Sequence, residues 1–134
     1  MPVVIILVSA CALGVFCILV QSVVLLRFLH QTPRISDDAD LESFRRIARL
    51  AMWLTIAAIP VMLVMIVSSI AACLLLGVKG LVLVLALNAV SFVIAKIGKS
   101  IEVRARSLDA ATVELEDAYQ RIGECWTKKL FPDF

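Results

Sequence analysis

The sequence predicts an all-α integral membrane protein, with three transmembrane helices and a cytoplasmic C-terminal helical extension. Three observations carry that prediction. The 134 residues are 62% apolar and 18% charged, with a mean hydropathy of +1.02, whereas a soluble domain is about half apolar and a quarter charged. The excess is gathered into residues 3–26, 50–78 and 80–95, uncharged runs of 24, 29 and 16 residues. A span needs about 20 apolar residues to cross roughly 30 Å of hydrocarbon; the third run is short, but Lys96 behind it can snorkel. The charges are also one-sided. In a three-span layout, all 11 acids and every one of the 13 basic residues except Lys79 fall on the same side. The excess of Lys and Arg near the spans makes that side cytoplasmic. The expected location is the bacterial inner membrane, with the N-terminus outside and the C-terminus inside. A soluble chain of this size has too little polar surface to cover three wholly apolar helices.

Residues 1–30 form the first span. It has no basic n-region, and its apolar run continues past any cleavage point, so residues 3–29 are read as a mature helix and not a signal peptide. Val8, Ser9, Ala10 and Cys11 are similar to a bacterial lipobox, but only seven uncharged residues precede it. Pro33 ends the span, because proline disfavours helix at the residue before it. Residues 31–49 are a loop and the start of an amphipathic helix. Ser36, Asp37, Asp38 and Asp40 suit a helix N-terminus, where side-chain oxygens cap free amides and acids meet the dipole. Such an acidic run reads as a solvated cap and not a metal cluster. Leu41, Phe44, Ala48 and Ala51 then repeat on one face, and Glu42 lies four residues before Arg46. Arg45, Arg46 and Arg49 suit anionic headgroups. A net charge of +2 is too small to imply nucleic acid.

The second span, residues 50–76, carries Trp53 at the interface and Pro60 inside, where it frees the carbonyl of Ile56 and should kink the helix. Residues 77–80 form the external hairpin, tight because Gly77 and Gly80 bracket it. The third span is residues 81–98. Residues 99–134 are the tail. There Ile101, Ala105, Leu108, Thr112, Leu115, Tyr119, Ile122 and Trp126 repeat at alternating spacings of four and three, a heptad seam of the coiled-coil kind. Glu102–Arg106, Asp117–Arg121 and Glu124–Lys128 are further acid-before-base pairs. Asp109 or Thr112 can cap a fresh helix, so a break near 107–112 is open. Gly123 weakens the last turn.

Small or polar residues form a stripe on each span: Ala10, Gly14, Cys17 and Gln21; Ala51, Thr55, Ala58, Met62, Met65, Ser69 and Ala72; Asn88, Ser91, Ala95 and Gly98. Small residues let helices approach, and polar ones bond across the gap. The first expectation for Gly14, Gln21, Thr55, Ser69, Asn88, Ser91 and Gly98 is helix packing. The second is that Ser68, Ser69, Asn88 and Ser91 line a hydrated path between subunits.

No catalytic constellation, metal site or cofactor motif is present. The apolar runs of the spans hold no Asp, Glu or His, so no ionisable relay, and His30 lies at the cytoplasmic boundary of the first. The single histidine, His30, cannot ligate haem in pairs, and Cys11, Cys17, Cys73 and Cys125 form neither a CxxC pair nor a disulfide framework. In layout alone the chain resembles ExbB/TolQ-type proton-channel subunits and three-span holins. The channel acids of the former have no match here, and no residue is carried over from either. The expected role is a non-enzymatic subunit that packs within a larger membrane complex. Its partners would be lipids and other membrane subunits or further copies of itself. The tail would dock through Ile101, Leu108, Leu115, Tyr119, Ile122, Trp126, Phe131 and Phe134, since so much apolar surface must be covered. The alternative is a homo-oligomeric, holin-like pore.

Overall fold

The computed structural model describes residues 1–134. Four helices follow in order: α1 (Pro2–Gln31), α2 (Asp38–Leu76), α3 (Val78–Ala105) and α4 (Val113–Lys128). The first three are long and apolar enough to cross a membrane. α1 starts on Pro2, whose missing N–H costs nothing at a first helical position. It ends where Thr32 N–H bonds the Phe28 carbonyl, just ahead of Pro33.

α2 starts as its residues require. Asp37 Oδ1 accepts from the Asp40 amide at 2.9 Å. The Asp40 carboxylate in turn accepts from Ser36 N at 3.0 Å and Ser36 Oγ at 2.6 Å. Those bonds, the Ser36 hydroxyl's first, hold the Asp40 carboxyl below the usual range. The helix has 39 residues and continues through Pro60, so at 1.5 Å per residue it is roughly 58 Å long. That is nearly twice the hydrocarbon thickness, and its first turns therefore stand outside it. Of the four acid–base pairs expected, Glu42–Arg46, Glu102–Arg106 and Glu124–Lys128 form, at 3.7, 3.3 and 3.7 Å. Asp117 and Arg121 do not meet.

The hairpin is tighter than the sequence suggests. Gly77 alone separates α2 from α3, at φ 56° and ψ −129°, a backbone conformation that favours glycine. A Cβ on Gly80 would stand 2.2 Å from the Ala72 carbonyl oxygen. α2 and α3 can therefore leave the turn in contact only because residue 80 lacks a side chain.

The spans touch along the predicted stripes on α1 and for the most part on α2, and along a face slightly rotated from the stripe on α3. On α1, Ala10 is buried and Gly14, Cys17 and Gln21 half-buried; on α2, Ala51 and Ala72 are buried and Ala58, Met65 and Ser69 half-buried, while Thr55 and Met62 are exposed. On α3 the half-buried residues are Leu83, Val84, Leu87, Ser91, Ile94, Gly98, Ile101 and Glu102, while Asn88 and Ala95 are exposed. The stripes marked only small and polar positions. Real contact faces also use the large apolar residues between them, and each helix meets two neighbours. A Cβ on Gly98 would lie 3.0 Å from Ile18 Cγ2 and 3.2 Å from Ser22 Oγ. Gly98 thus sets the approach of α3 to α1. Only 20 of 134 residues are buried, so most span side chains face outward.

The main core lies at the tail end, where α4 packs on the first turns of α2. Phe44 is fully buried, with ring centroids 5.9 Å from Phe28, 4.6 Å from Tyr119 and 5.9 Å from Trp126. Ile35 N–H donates to the Asp109 carbonyl (2.9 Å), and Ala111 N–H donates to the Ile35 carbonyl (2.8 Å). This two-bond bridge joins the α1–α2 loop to the α3–α4 loop. Near the other end of α4, Phe131 stands edge-on to Trp53, with centroids 6.4 Å apart. Contact at both ends makes α4 run beside α2 in the same sense, back toward the spans.

Candidate functional site

The expected seam is not one continuous line. α3 ends at Ala105, where Tyr119 Oη donates to the Ala105 carbonyl (2.5 Å) and accepts from Leu108 N–H (3.1 Å). Thr112 caps the new helix, its Oγ1 accepting from Leu115 N–H at 3.3 Å. The seam is therefore folded at 106–112. Tyr119, Ile122 and Trp126 are buried on the chain's own Phe44, with Ile101, Leu108, Leu115 and Phe134 packed around them. This corrects the picture of a coiled-coil seam open to a partner. The amphipathic start of α2, residues 40–49, is much shorter than the seam from Ile101 to Trp126. The fold brings half the seam back over it and over the end of α1. Of the tail positions expected to dock, Phe131 stays clearly exposed, at 58%.

Within the spans, Gly14, Gln21, Thr55, Asn88 and Ser91 line one groove of about 390 Å³ between the three helices. Its remaining walls are apolar, Val15, Val61, Met62 and Phe92 among them. Cys11 Sγ and Ser91 Oγ, 3.2 Å apart, link α1 to α3 across its edge. The other hydroxyl and amide bonds stay within single helices: Thr55 Oγ1 donates to the Ala51 carbonyl (2.9 Å) and Asn88 Nδ2 to the Val84 carbonyl (2.8 Å). Ser69 does not line the groove and Ser68 is buried, so the four polar residues expected along one path are not brought together. Gly98 lines a smaller cavity of about 130 Å³ with Ile18, Gln21, Ser22, Ala95, Lys99 and Glu102.

A third cavity, of about 330 Å³, opens where the tail meets the spans. Met52, Thr55, Lys99, Glu102, Trp126, Thr127, Lys129 and Leu130 line it. Glu102 is held by Lys99 at 3.0 Å and by Arg106 at 3.3 Å. Arg106 lies over the Trp126 ring, 5.9 Å from its centroid. Lys129 pairs with Asp133, which raises the Lys129 pKa, mainly through their hydrogen bond. Asp133 is held low by bonds from Cys125 and then Lys129. Burial, with the bond to Asp133, pushes the Cys125 thiol up. Arg49 donates to the Phe134 carbonyl oxygen and lies 6.0 Å from that ring's centroid.

Sequence reasoning missed Lys99, Glu102 and Lys129 as members of one cavity. They lie 27 or more positions apart in two groups, and no local pattern links them. It also missed Ile35, buried between polar neighbours with no periodicity to mark it. Comparison with family models, curated proteins and solved structures gives no match for this chain.

Proposed function

We propose that this chain is a non-enzymatic subunit of a larger membrane assembly, with its spans packed beside helices of other subunits or of further copies. We read its tail side as the cytoplasm and its membrane as a bacterial inner membrane, on the one-sided charge. The observation that carries the assembly reading is the state of α3. Only 6% of its most apolar stretch is buried, yet Asn88 sits in that stretch, exposed, with its amide bonded only to its own helix. Lipid tails offer an amide no partner. A neighbouring helix does, at a gain of roughly 0.6–2 kcal/mol. The folded tail then braces the start of α2 and turns its charged face, Glu116, Gln120 and Arg121 included, toward the cytoplasm.

The test is purification in a gentle detergent, with identification of what co-elutes. Asn88→Leu should reduce co-elution several-fold while helical content stays constant. An assembly of unchanged mass and composition in that variant removes the reading. The pore alternative draws on the groove that gathers Gln21, Thr55, Asn88 and Ser91. It requires ion flux from purified protein in liposomes, and a membrane that stays tight excludes it.

A further inference from the structure

We propose that the groove between the spans is a binding site for one anionic phospholipid, with one of its two acyl chains along the groove and its phosphate at Lys99 and Lys129. The three cavities described above adjoin one another through shared lining residues, and we take them as one track. The groove and the small cavity share Ile18, Gln21 and Ala95. The small cavity and the tail-side cavity share Lys99 and Glu102. Thr55 lines both the groove and the tail-side cavity.

The track has the length and polarity of a lipid. From Asn88 at its deep end to Lys99 at its mouth is eleven residues of α3, about 16 Å at 1.5 Å per residue. That is about half of the roughly 30 Å hydrocarbon core, the depth of one leaflet. The deep part is walled by Val15, Val61, Met62 and Phe92; the Asn88 amide at its edge gives one hydrogen to the Val84 carbonyl, and its exposed remainder is left to the neighbouring helix of the assembly reading. One turn above the mouth, at the level of Ala95, is Gln21, in both the groove and the small cavity. Its amide suits the ester carbonyls that lie just inside a phosphate. At the mouth, Lys99, Lys129 and Arg106 face two acids, Glu102 and Asp133. The surplus is one positive charge, with the Thr127 hydroxyl beside it.

The tail decides between occupants. Trp126, Thr127 and Leu130 wall the mouth, so the track ends at the membrane surface. A helix from another protein would have to continue past that level, whereas a lipid ends there. The proposal does not rest on the assembly reading, since lipid retention and subunit co-elution are separate readouts.

The experiment is native mass spectrometry of the full chain, released from vesicles holding phosphatidylcholine and phosphatidylglycerol in equal amounts. The wild type should retain phosphatidylglycerol preferentially. Lys99→Gln with Lys129→Gln should lower that preference by about fivefold per lysine, the worth of a cation near an anionic surface. Ala95→Phe, at an exposed position lining the groove, should abolish retention of both lipids. Arg121→Gln, at an exposed position on the charged face of α4, should change nothing. Equal retention of the two lipids by the wild type overturns the proposal. So does a loss in Arg121→Gln matching that of the lysine pair, or full retention in Ala95→Phe. Should the lysine double variant fail to fold, Ala95→Phe breaks no ion pair and decides alone.

Discussion

Tyr119 shows how much one oxygen can do. Its hydroxyl accepts the Leu108 amide and donates to the Ala105 carbonyl, two backbone groups that the end of α3 leaves without helical partners. Tyr119→Phe keeps the ring against Phe44 and removes only the oxygen. It should cost about 1–3 kcal/mol, the range for leaving buried polar groups unpaired, read as a lower unfolding midpoint of the tail. Burial raises the Tyr119 pKa above the ordinary phenol value, near 10. A raised pKa means that the neutral form is favoured in the fold. The contribution is therefore complete below about pH 10 and is lost as the pH rises through the higher folded value. Protection factors at 106–119, taken relative to the intrinsic base-catalysed exchange rate, should fall in that alkaline window in the wild type, and Tyr119→Phe should remove that fall. Protection factors that stay constant with pH in the wild type would leave the hydroxyl without this role.

At the level of elements, two glycines separate helix approach from helix propensity. Gly98 leaves only 3.0 Å between an added Cβ and Ile18, so Gly98→Val must push α3 from α1. Gly123 has nothing within 4 Å of an added Cβ and no left-handed backbone, so Gly123→Ala should stabilise α4 by up to about 1 kcal/mol. Opposite signs in thermal melts of the two variants, with a cross-link between α1 and α3 lost only in Gly98→Val, are the expected result. The contrast also shows what the sequence made legible. The three spans, the Asp37 cap and the glycine turn each rest on a few neighbouring residues, and local chemistry identifies them; the sequence narrows the cap of α4 only to Asp109 or Thr112, and it is Thr112. The stripes found the contact faces of α1 and most of α2 but a slightly wrong face on α3, because a stripe of small residues says nothing about large neighbours such as Leu87 and Ile94. Of the candidate site, the groove-lining polar residues were legible. The mouth was not, because Lys129 comes to line the same cavity as Lys99 only after α4 has turned back.

For the molecule as a whole, the fold divides its stability between two solvents. The spans gain nothing from hydrophobic exclusion of water among themselves, since lipid is as apolar as their side chains. The tail core does gain it, because Phe28, Phe44, Tyr119, Ile122 and Trp126 leave water on packing. The heptad seam therefore spends its apolar surface inside the chain, and α4 is tied to the spans through Phe44 at its middle and Phe131 against Trp53 at its end. Phe44→Ala tests this division. Phe44 is fully buried and touches three aromatic rings, so its truncation should cost about 3–5 kcal/mol. That loss falls on the tail, because the groove and its walls contain no part of Phe44. Amide protection across residues 113–128 should collapse, and the loop at 106–112 should become cleavable. Residues 54–95 should keep their protection in the bilayer. If protection falls equally in both regions, the tail and spans fold as one unit, and α4 is part of what holds the three helices together.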